Sequence, residues 1–304
     1  LLGNCLDISQ ELALVSSTGV IGANLPMDKF EAGIPKIVQL LSFEGMDNFA
    51  DAILTTDTHR KIVKKTEKIG NKSFSIMGFA KGSGMIRPDM ATMLAYIVTD
   101  VDILPQDLNI CLSAANEKSF NRITIDGDTS TNDTLLALAN GSSKIKINDT
   151  DSKIVFQNAL DEICFQLAKM VVKDGEGATK FIQIIVKGAK TKKDAFKASE
   201  AIAHSNLVKT AIYGEDPNWG RITAAAGRSG AMVIPEKMDL FFDEQPLVLM
   251  GSWVGAKAEK KTAKIMKNNE ITITLDLNLG QETDYFFFCD FSEEYVKINA
   301  EYRS

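Results

Sequence analysis

Lys81-Gly82-Ser83-Gly84-Met85-Ile86-Arg87-Pro88-Asp89-Met90-Ala91-Thr92-Met93-Leu94 is the stretch that decides how this chain reads. Gly82 and Gly84 accept φ above zero and Pro88 fixes its own φ, so residues 81–89 read as a shaped loop. The apolar run that follows, 93–98, predicts a buried strand. A threonine at the head of such a strand can be pinned by its neighbours while its hydroxyl faces a cleft. Were the Ala91-Thr92 bond cut, the new α-amine, with an ordinary pKa of about 7.7–8.0, would stand beside the Thr92 hydroxyl as a built-in general base. A lone threonine in this place is ordinarily chosen for strand propensity. The remainder of the sequence changes that reading.

The composition narrows the field first. The chain has 304 residues, enough to bury a sizeable core in one large or two modest domains. Hydrophobic residues at 45% and charged residues at 24% are ordinary for a globular protein, which favours neither a disordered chain nor a coiled coil. With 34 Lys and Arg against 40 Asp and Glu, the net charge of −6 argues against a nucleic-acid partner, and the basic runs at 190–193 and 260–264 read as solvated surface. No apolar run approaches the roughly 20 residues of a membrane span and no secretory core opens the chain, so a cytoplasmic protein without a membrane partner is expected. Cys5, Cys111, Cys164 and Cys289 are far apart and read as small apolar residues rather than a disulfide or zinc framework.

Cofactor and metal motifs are equally thin. Gly82-Ser83-Gly84-Met85-Ile86-Arg87 imitates a dinucleotide fingerprint but ends in arginine, and no phosphate-binding G-x-x-x-x-G-K-[ST] is present. In Asp126-Gly127-Asp128-Thr129-Ser130-Thr131-Asn132-Asp133-Thr134, a calcium loop would need glycine at its sixth and glutamate at its twelfth position, which Thr131 and Ala137 occupy. The expectation is no metal and no cofactor, with this run forming a hydrogen-bonded loop and a helix N-cap.

The periodicities predict a strand at 11–16 and a helix at 28–41 with a capping-box start at Asp28 and Glu31, Pro35 marking a kink or late start. A short helix is predicted at 46–54, strands at 73–79 and 93–98, and helices at 105–118 and 132–139. The longest helical pattern is 152–173, stopped at Asp174-Gly175. Beyond it come a strand at 181–186, helices at 195–204 and 222–226, then strand, helix, strand, strand at 240–250, 256–267, 271–277 and 285–291. Strands and helices without regular alternation point to an α+β fold. The final segment is expected to be anchored by Tyr295, Ile298 and Tyr302.

The stretch at 81–94 resembles the self-cleaving junction of the ornithine acetyltransferase family, also called the bifunctional glutamate N-acetyltransferases. The resemblance continues through Ser17-Thr18-Gly19-Val20-Ile21-Gly22, Thr55-Thr56-Asp57, the Asp126 to Thr134 run, Gly175-Glu176-Gly177-Ala178-Thr179-Lys180, Gly214-Glu215-Asp216-Pro217-Asn218-Trp219-Gly220-Arg221 and Ile298-Asn299-Ala300-Glu301-Tyr302-Arg303-Ser304. These motifs span nearly the whole chain in the family's order. The resemblance implies a four-layer αββα sandwich with a smaller α/β region, of the self-cleaving N-terminal-threonine type, split at about 1–190 and 191–304 with the tail returning to the site. It implies cleavage between Ala91 and Thr92 into an α subunit, 1–91, and a β subunit, 92–304, assembled as an α2β2 heterotetramer.

By the same resemblance Thr92 is the nucleophile, Thr18 and Gly19 form the oxyanion hole, and Glu176 acts in the substrate site. Thr55, Lys81, Asn299 and Ser304 match the remaining substrate-binding positions. The implied reaction passes an acetyl group from N-acetylornithine to glutamate through acetyl-Thr92, in arginine biosynthesis. No acetyl-CoA site is readable, and the resemblance allows acetyl-CoA as a second donor. A self-cleaving amidase or peptidase of similar logic, and an uncleaved inactive fragment, stand as alternatives. Relatives carry a further segment ahead of the Thr18 motif, so the chain, which opens with Leu1, reads as shortened at its amino end.

Overall fold

The computed structural model describes residues 1–87 and 93–301. In chain order its elements are α1 (Leu2–Leu6), α2 (Met27–Gln39), α3 (Met46–Ala52), β1 (Lys61–Ile69), β2 (Lys72–Lys81), β3 (Leu94–Thr99), α4 (Pro105–Glu117), β4 (Ile123–Thr124), β5 (Thr134–Ala139), α5 (Thr150–Lys173) and β6 (Phe181–Ala189). They continue as α6 (Lys192–Ala203), α7 (Asn206–Tyr213), α8 (Trp219–Gly227), β7 (Asp239–Phe242), β8 (Gln245–Leu249), β9 (Ser252–Trp253), α9 (Ala256–Ile265), β10 (Glu270–Asp276), β11 (Glu282–Cys289) and α10 (Glu293–Glu301). The fold is mixed α+β, as the alternation of periods implies.

The strands form a four-stranded sheet, β1-β2-β3-β5, and a seven-stranded sheet, β4-β11-β6-β10-β7-β8-β9. Consecutive residues of β11 show how the second sheet divides the core. Phe287 joins Phe74, Ile163 and Leu167 on one face, while Phe286 and Phe288 join Ile202, Val208 and Ile222 on the other. This is the period of two that a strand buried on both faces requires. Helix α5 packs against β1 and β2 and also against β11, so one core lies around it; α6, α7 and α8 cover the other.

Helix α5 begins where its sequence supplies a reciprocal cap. The Asp149 carboxylate accepts the Ser152 N–H at 2.8 Å and the Ser152 hydroxyl accepts the Asp149 N–H at 3.2 Å. Its contact with β2 needs Gly78, because a β-carbon there would stand 2.6 Å from both Ile163 Cγ2 and Leu167 Cδ1.

Several expectations give way. Residues 132–139 are strand rather than helix: β5 runs parallel to β3 with Leu94 opposite Thr134 and Thr99 opposite Ala139. Five good helix formers, Leu135 to Ala139, are too few to hold a helix alone, and the open edge of β3 satisfies their amides instead. The strand expected at 11–16 is absent; Gln10–Leu12 is a 3-10 turn and the chain beyond it runs unpaired, tethered where Ser16 Oγ meets Tyr96 Oη at 2.5 Å. A strand needs a ladder partner, and no described strand pairs with it. Helix α2 starts after Pro26 without a side-chain cap, so the capping box at Asp28 does not form, and Pro35 lies inside the helix.

The run at 240–250 is a hairpin, β7 and β8, turned at Asp243 with φ of 49°. Strand β1, unforeseen behind its four lysines, pairs with β2 around Gly70-Asn71, where Gly70 has φ of 61°. A two-residue turn of this kind between extended runs is a hairpin signal. The close approach at Gly78 is testable: Gly78→Val is expected to destabilise the fold by about 1–3 kcal/mol, as overpacking does. Urea unfolding measures it, and a loss below about 0.5 kcal/mol would contradict the α5–β2 contact.

Candidate active site

The site grows from three loops that meet at the end of β2. Strand β2 delivers Lys81, and after it the chain leaves the ladder, so the N–H groups of residues 82–86 need other partners. Partly buried carboxylates supply three of them. Asp57 Oδ1 accepts the Gly82 N–H at 2.7 Å, Asp126 Oδ2 accepts the Met85 N–H at 2.6 Å, and Asp126 Oδ1 accepts the Ile86 N–H at 3.0 Å. On the far side of 88–92, Asp133 accepts the N–H of Met93. Met85 adopts φ of 55° without being glycine, a turn that these bonds hold in place.

Asp57 is itself fixed by charge. Lys61 Nζ lies 2.5 Å from Asp57 Oδ1 and 2.5 Å from Asp174 Oδ2, and the three side chains are 1%, 0% and 7% exposed. Burial raises the Asp174 pKa, but bonds from Lys61 and Thr58 outweigh it and hold the carboxyl below its usual range. Removing one member of such a group leaves an uncompensated buried charge, at a cost of about 3–5 kcal/mol. The triad joins the 55–57 turn, the head of β1 and the end of α5. Two residues past Asp174, the Glu176 N–H donates to Ser83 O at 2.7 Å, which closes the ring of loops.

These loops enclose a cavity of about 290 Å³. Thr18, Gly19, Thr55, Lys81, Glu176 and Asn299 all line it, although they come from segments up to 281 residues apart. Lys81 is 2% exposed; burial lowers its ammonium pKa, while the Asp57 and Asp133 carboxylates oppose that. Its Nζ donates to Thr55 Oγ1 at 3.3 Å, and the Thr56 and Ser83 hydroxyls share a bond of 2.6 Å beside it. Among the described lining residues Lys81 is the one cation, set against Asp126, Asp128 and Glu176. Such a lining suits a small zwitterion with separated charges.

Helix α10 closes one side. Asn299 Nδ2 donates to Glu176 Oε2 at 2.9 Å, and Tyr295 Oη donates to Asp126 Oδ2 at 3.2 Å while its ring packs on Phe291 at 4.3 Å between centroids. Tyr295 therefore anchors the tail as its position suggested. The glycines beside Glu176 serve packing: a β-carbon at Gly177 would meet Tyr295 N at 2.5 Å, and one at Gly175 would meet Cys289 Sγ at 3.2 Å. Gly84 has a different duty, since a β-carbon there would stand 2.5 Å from Glu176 Oε2. Ala91, Thr92, Tyr302 and Ser304 lie outside the described residues. Asp126 does form a hydrogen-bonded loop, but strand β5 rather than a helix follows it. Among the described residues no group of His, Cys, Asp or Glu side chains is arranged to hold a metal ion, and no helix is long and apolar enough to cross a membrane.

Comparison with known proteins decides the family. The profile of the ArgJ family matches residues 1–304. The chain belongs to the ArgJ family. It is 46% identical over 306 residues to the arginine biosynthesis bifunctional protein ArgJ of Geobacter sulfurreducens, covering 100% of this chain and 78% of that protein. It is 47% identical over 313 residues to the glutamate N-acetyltransferase of Methanocaldococcus jannaschii, covering 99% and 77%. A crystal structure of the arginine biosynthesis bifunctional protein ArgJ from Bacillus halodurans superposes with a TM-score of 0.65 at 38% identity, over 68% of this chain and 98% of that one.

The sequence places Asp57 within a motif without a role of its own, marks Asp174 only as a helix stop, and leaves Lys61 unmarked. Asp57 lies two residues after Thr55 and accepts its N–H at 3.2 Å. In this ArgJ-family chain Asp133 also carries a pH signature. Burial pushes its carboxyl up to about 7, against the Met93 amide and the Lys81 charge, while the unfolded value is about 3.9. Between those values the folded state holds a proton that the unfolded chain has lost, so stability falls as pH rises from about 4 to about 7. Urea titrations of Asp133→Asn across that window are expected to show a flatter slope than wild type; parallel curves would contradict the shift.

Proposed function

We propose that this chain is an acetyltransferase of arginine biosynthesis that moves an acetyl group from N-acetylornithine to glutamate by double displacement through Thr92. One observation carries the reading: six residues matched to the family's site motifs, scattered from Thr18 to Asn299, line a single cavity with Lys81 as its cation. The names of the relatives supply the reaction, and the cavity's charges suit amino-acid substrates.

The chemistry begins with chain cleavage. The Thr92 hydroxyl adds to the Ala91 carbonyl, the peptide nitrogen leaves with a proton, and water hydrolyses the resulting ester, which frees Thr92 as an amino terminus. Its α-amine then takes the hydroxyl proton as Oγ1 attacks the acetyl carbonyl of N-acetylornithine. The Thr18 hydroxyl and Gly19 N–H face the oxyanion, each such donor typically worth about 2.7–4 kcal/mol of barrier. Ornithine's nitrogen leaves with the proton held by the α-amine, and acetyl-Thr92 remains. The amine of glutamate attacks that ester and carries the acetyl group away.

Lys81 binds the substrate carboxylate, and Glu176 receives the opposite charge once Asn299 lets it go. Asn299 and Ser304 are the substrate-binding positions of the tail. The products of cleavage, 1–91 and 92–304, remain together as an α2β2 assembly in the cytoplasm. The helix–sheet–sheet–helix layering belongs with this reading. The face of the four-stranded sheet turned away from α5 is only partly covered, by Phe49 against Phe79 and Tyr96, and Leu138 there is 54% exposed, which leaves room for a second sheet.

Intact-mass analysis of wild type is expected to give two species divided before Thr92, and Thr92→Ala a single uncleaved species without acetyl transfer. Transfer by Thr92→Ala at the wild-type rate would overturn the assignment. Lys81→Ala is expected to raise KM for N-acetylornithine tenfold or more, and an unchanged KM would remove Lys81 from substrate binding.

A further inference from the structure

Asp133 sits where the ladder between β3 and β5 begins. Its carboxylate takes the N–H of Met93, and the next residue, Thr134, donates its own N–H to Met93 O at 2.9 Å. Two consecutive residues thus hold both polar groups of one backbone unit. Strand pairing alone needs only the second bond, since the register runs from Leu94 opposite Thr134 onwards. The Met93 side chain is locked as well: it is 3% exposed and belongs to the same core as Ile86 and Ala95.

An asparagine would make the Met93 bond without the cost of a buried charge. The charge has a use, because Asp133, with Asp57 and Glu176, is one of three carboxylates whose field opposes the desolvation of the Lys81 ammonium. Asp133 therefore touches two parts of the site at once: the backbone entering β3 and the field around the cavity's cation.

We infer that Asp133 is a positioning residue for Thr92, gripping the backbone of Met93 so that the preceding peptide enters the strand in one fixed orientation for chain cleavage and acyl transfer. This rests on the reading of Thr92 given above. Asp133 takes no proton from substrate and forms no bond to it; it acts by narrowing the directions in which the residue ahead of Met93 is presented, where small misplacements cost rate steeply.

The experiment follows chain breakage over time by intact mass, together with kcat and KM for N-acetylornithine, in wild type, Asp133→Ala, Asp133→Asn and Asp133→Glu. Asp133→Ala, which removes the acceptor, is expected to slow both cleavage and kcat at least tenfold while KM stays within threefold. Asp133→Asn keeps an oxygen acceptor and is expected to cleave within threefold of wild type. Asp133→Glu keeps the charge but displaces the carboxylate by one methylene, and is expected to behave like the alanine variant. If Asp133→Ala fails to fold, the glutamate variant decides. Wild-type cleavage and kcat in a folded Asp133→Ala or in Asp133→Glu would overturn the inference while leaving Thr92 in place. A folded wild type that never breaks before Thr92 would overturn the reading of Thr92, and this inference with it.

Discussion

The structure depends on partly buried carboxylates accepting backbone N–H groups around the end of β2. A chain that leaves a sheet and stays buried must find acceptors for its amides, and here Asp57, Asp126 and Asp133 provide them at Gly82, at Met85 and Ile86, and at Met93. Charged acceptors make stronger bonds than neutral ones but pay more for leaving water. The opposing effects are visible in Asp126 and Asp133, both raised by burial despite their donors. The fold accepts that cost at a loop whose backbone is held without a ladder.

Lys61 extends the constraint beyond the loop. By bridging Asp57 and Asp174 it ties the first sheet to the C-terminal end of α5, the helix shared between both sheets. Asp174 lies two residues before Glu176, so the ion triad places the cavity's carboxylate and its lysine within one rigid frame. The two cores on either face of the seven-stranded sheet support that frame, and α10 completes it through Tyr295 and Asn299. The loops gain their rigidity from elements that have no part in the chemistry.

Much of this was legible in the residues. The strand after the glycine loop, α4, α5, β6, α6, α8, α9, β10 and β11 follow from period and stop signals, whereas α7, α10 and the turn within 240–250 do not; the motifs name six residues that line one cavity. What escaped was decided by partners distant in sequence. Residues 132–139 carry helix propensity, yet the edge of β3 made them strand; residues 11–16 carry strand propensity, yet no ladder received them. Nothing in the local sequence marks Lys61, and only its neighbours at 57 and 174 make it a buried cation. The Asp126 to Thr134 run reads from its spacing as a hydrogen-bonded loop, but the donors its carboxylates meet belong to residues 85, 86, 93 and 295.

The central claim is that one hydroxyl carries the acetyl group between two amino acids. The most direct measurement is to mix the protein with N-acetylornithine in the absence of glutamate, quench in acid, digest and map the acetyl group by mass spectrometry. The account predicts a hydroxylamine-sensitive acetyl ester on a peptide that begins at Thr92, lost when glutamate is added. Turnover with no acetylated peptide at Thr92, or with the group on another residue, would contradict it.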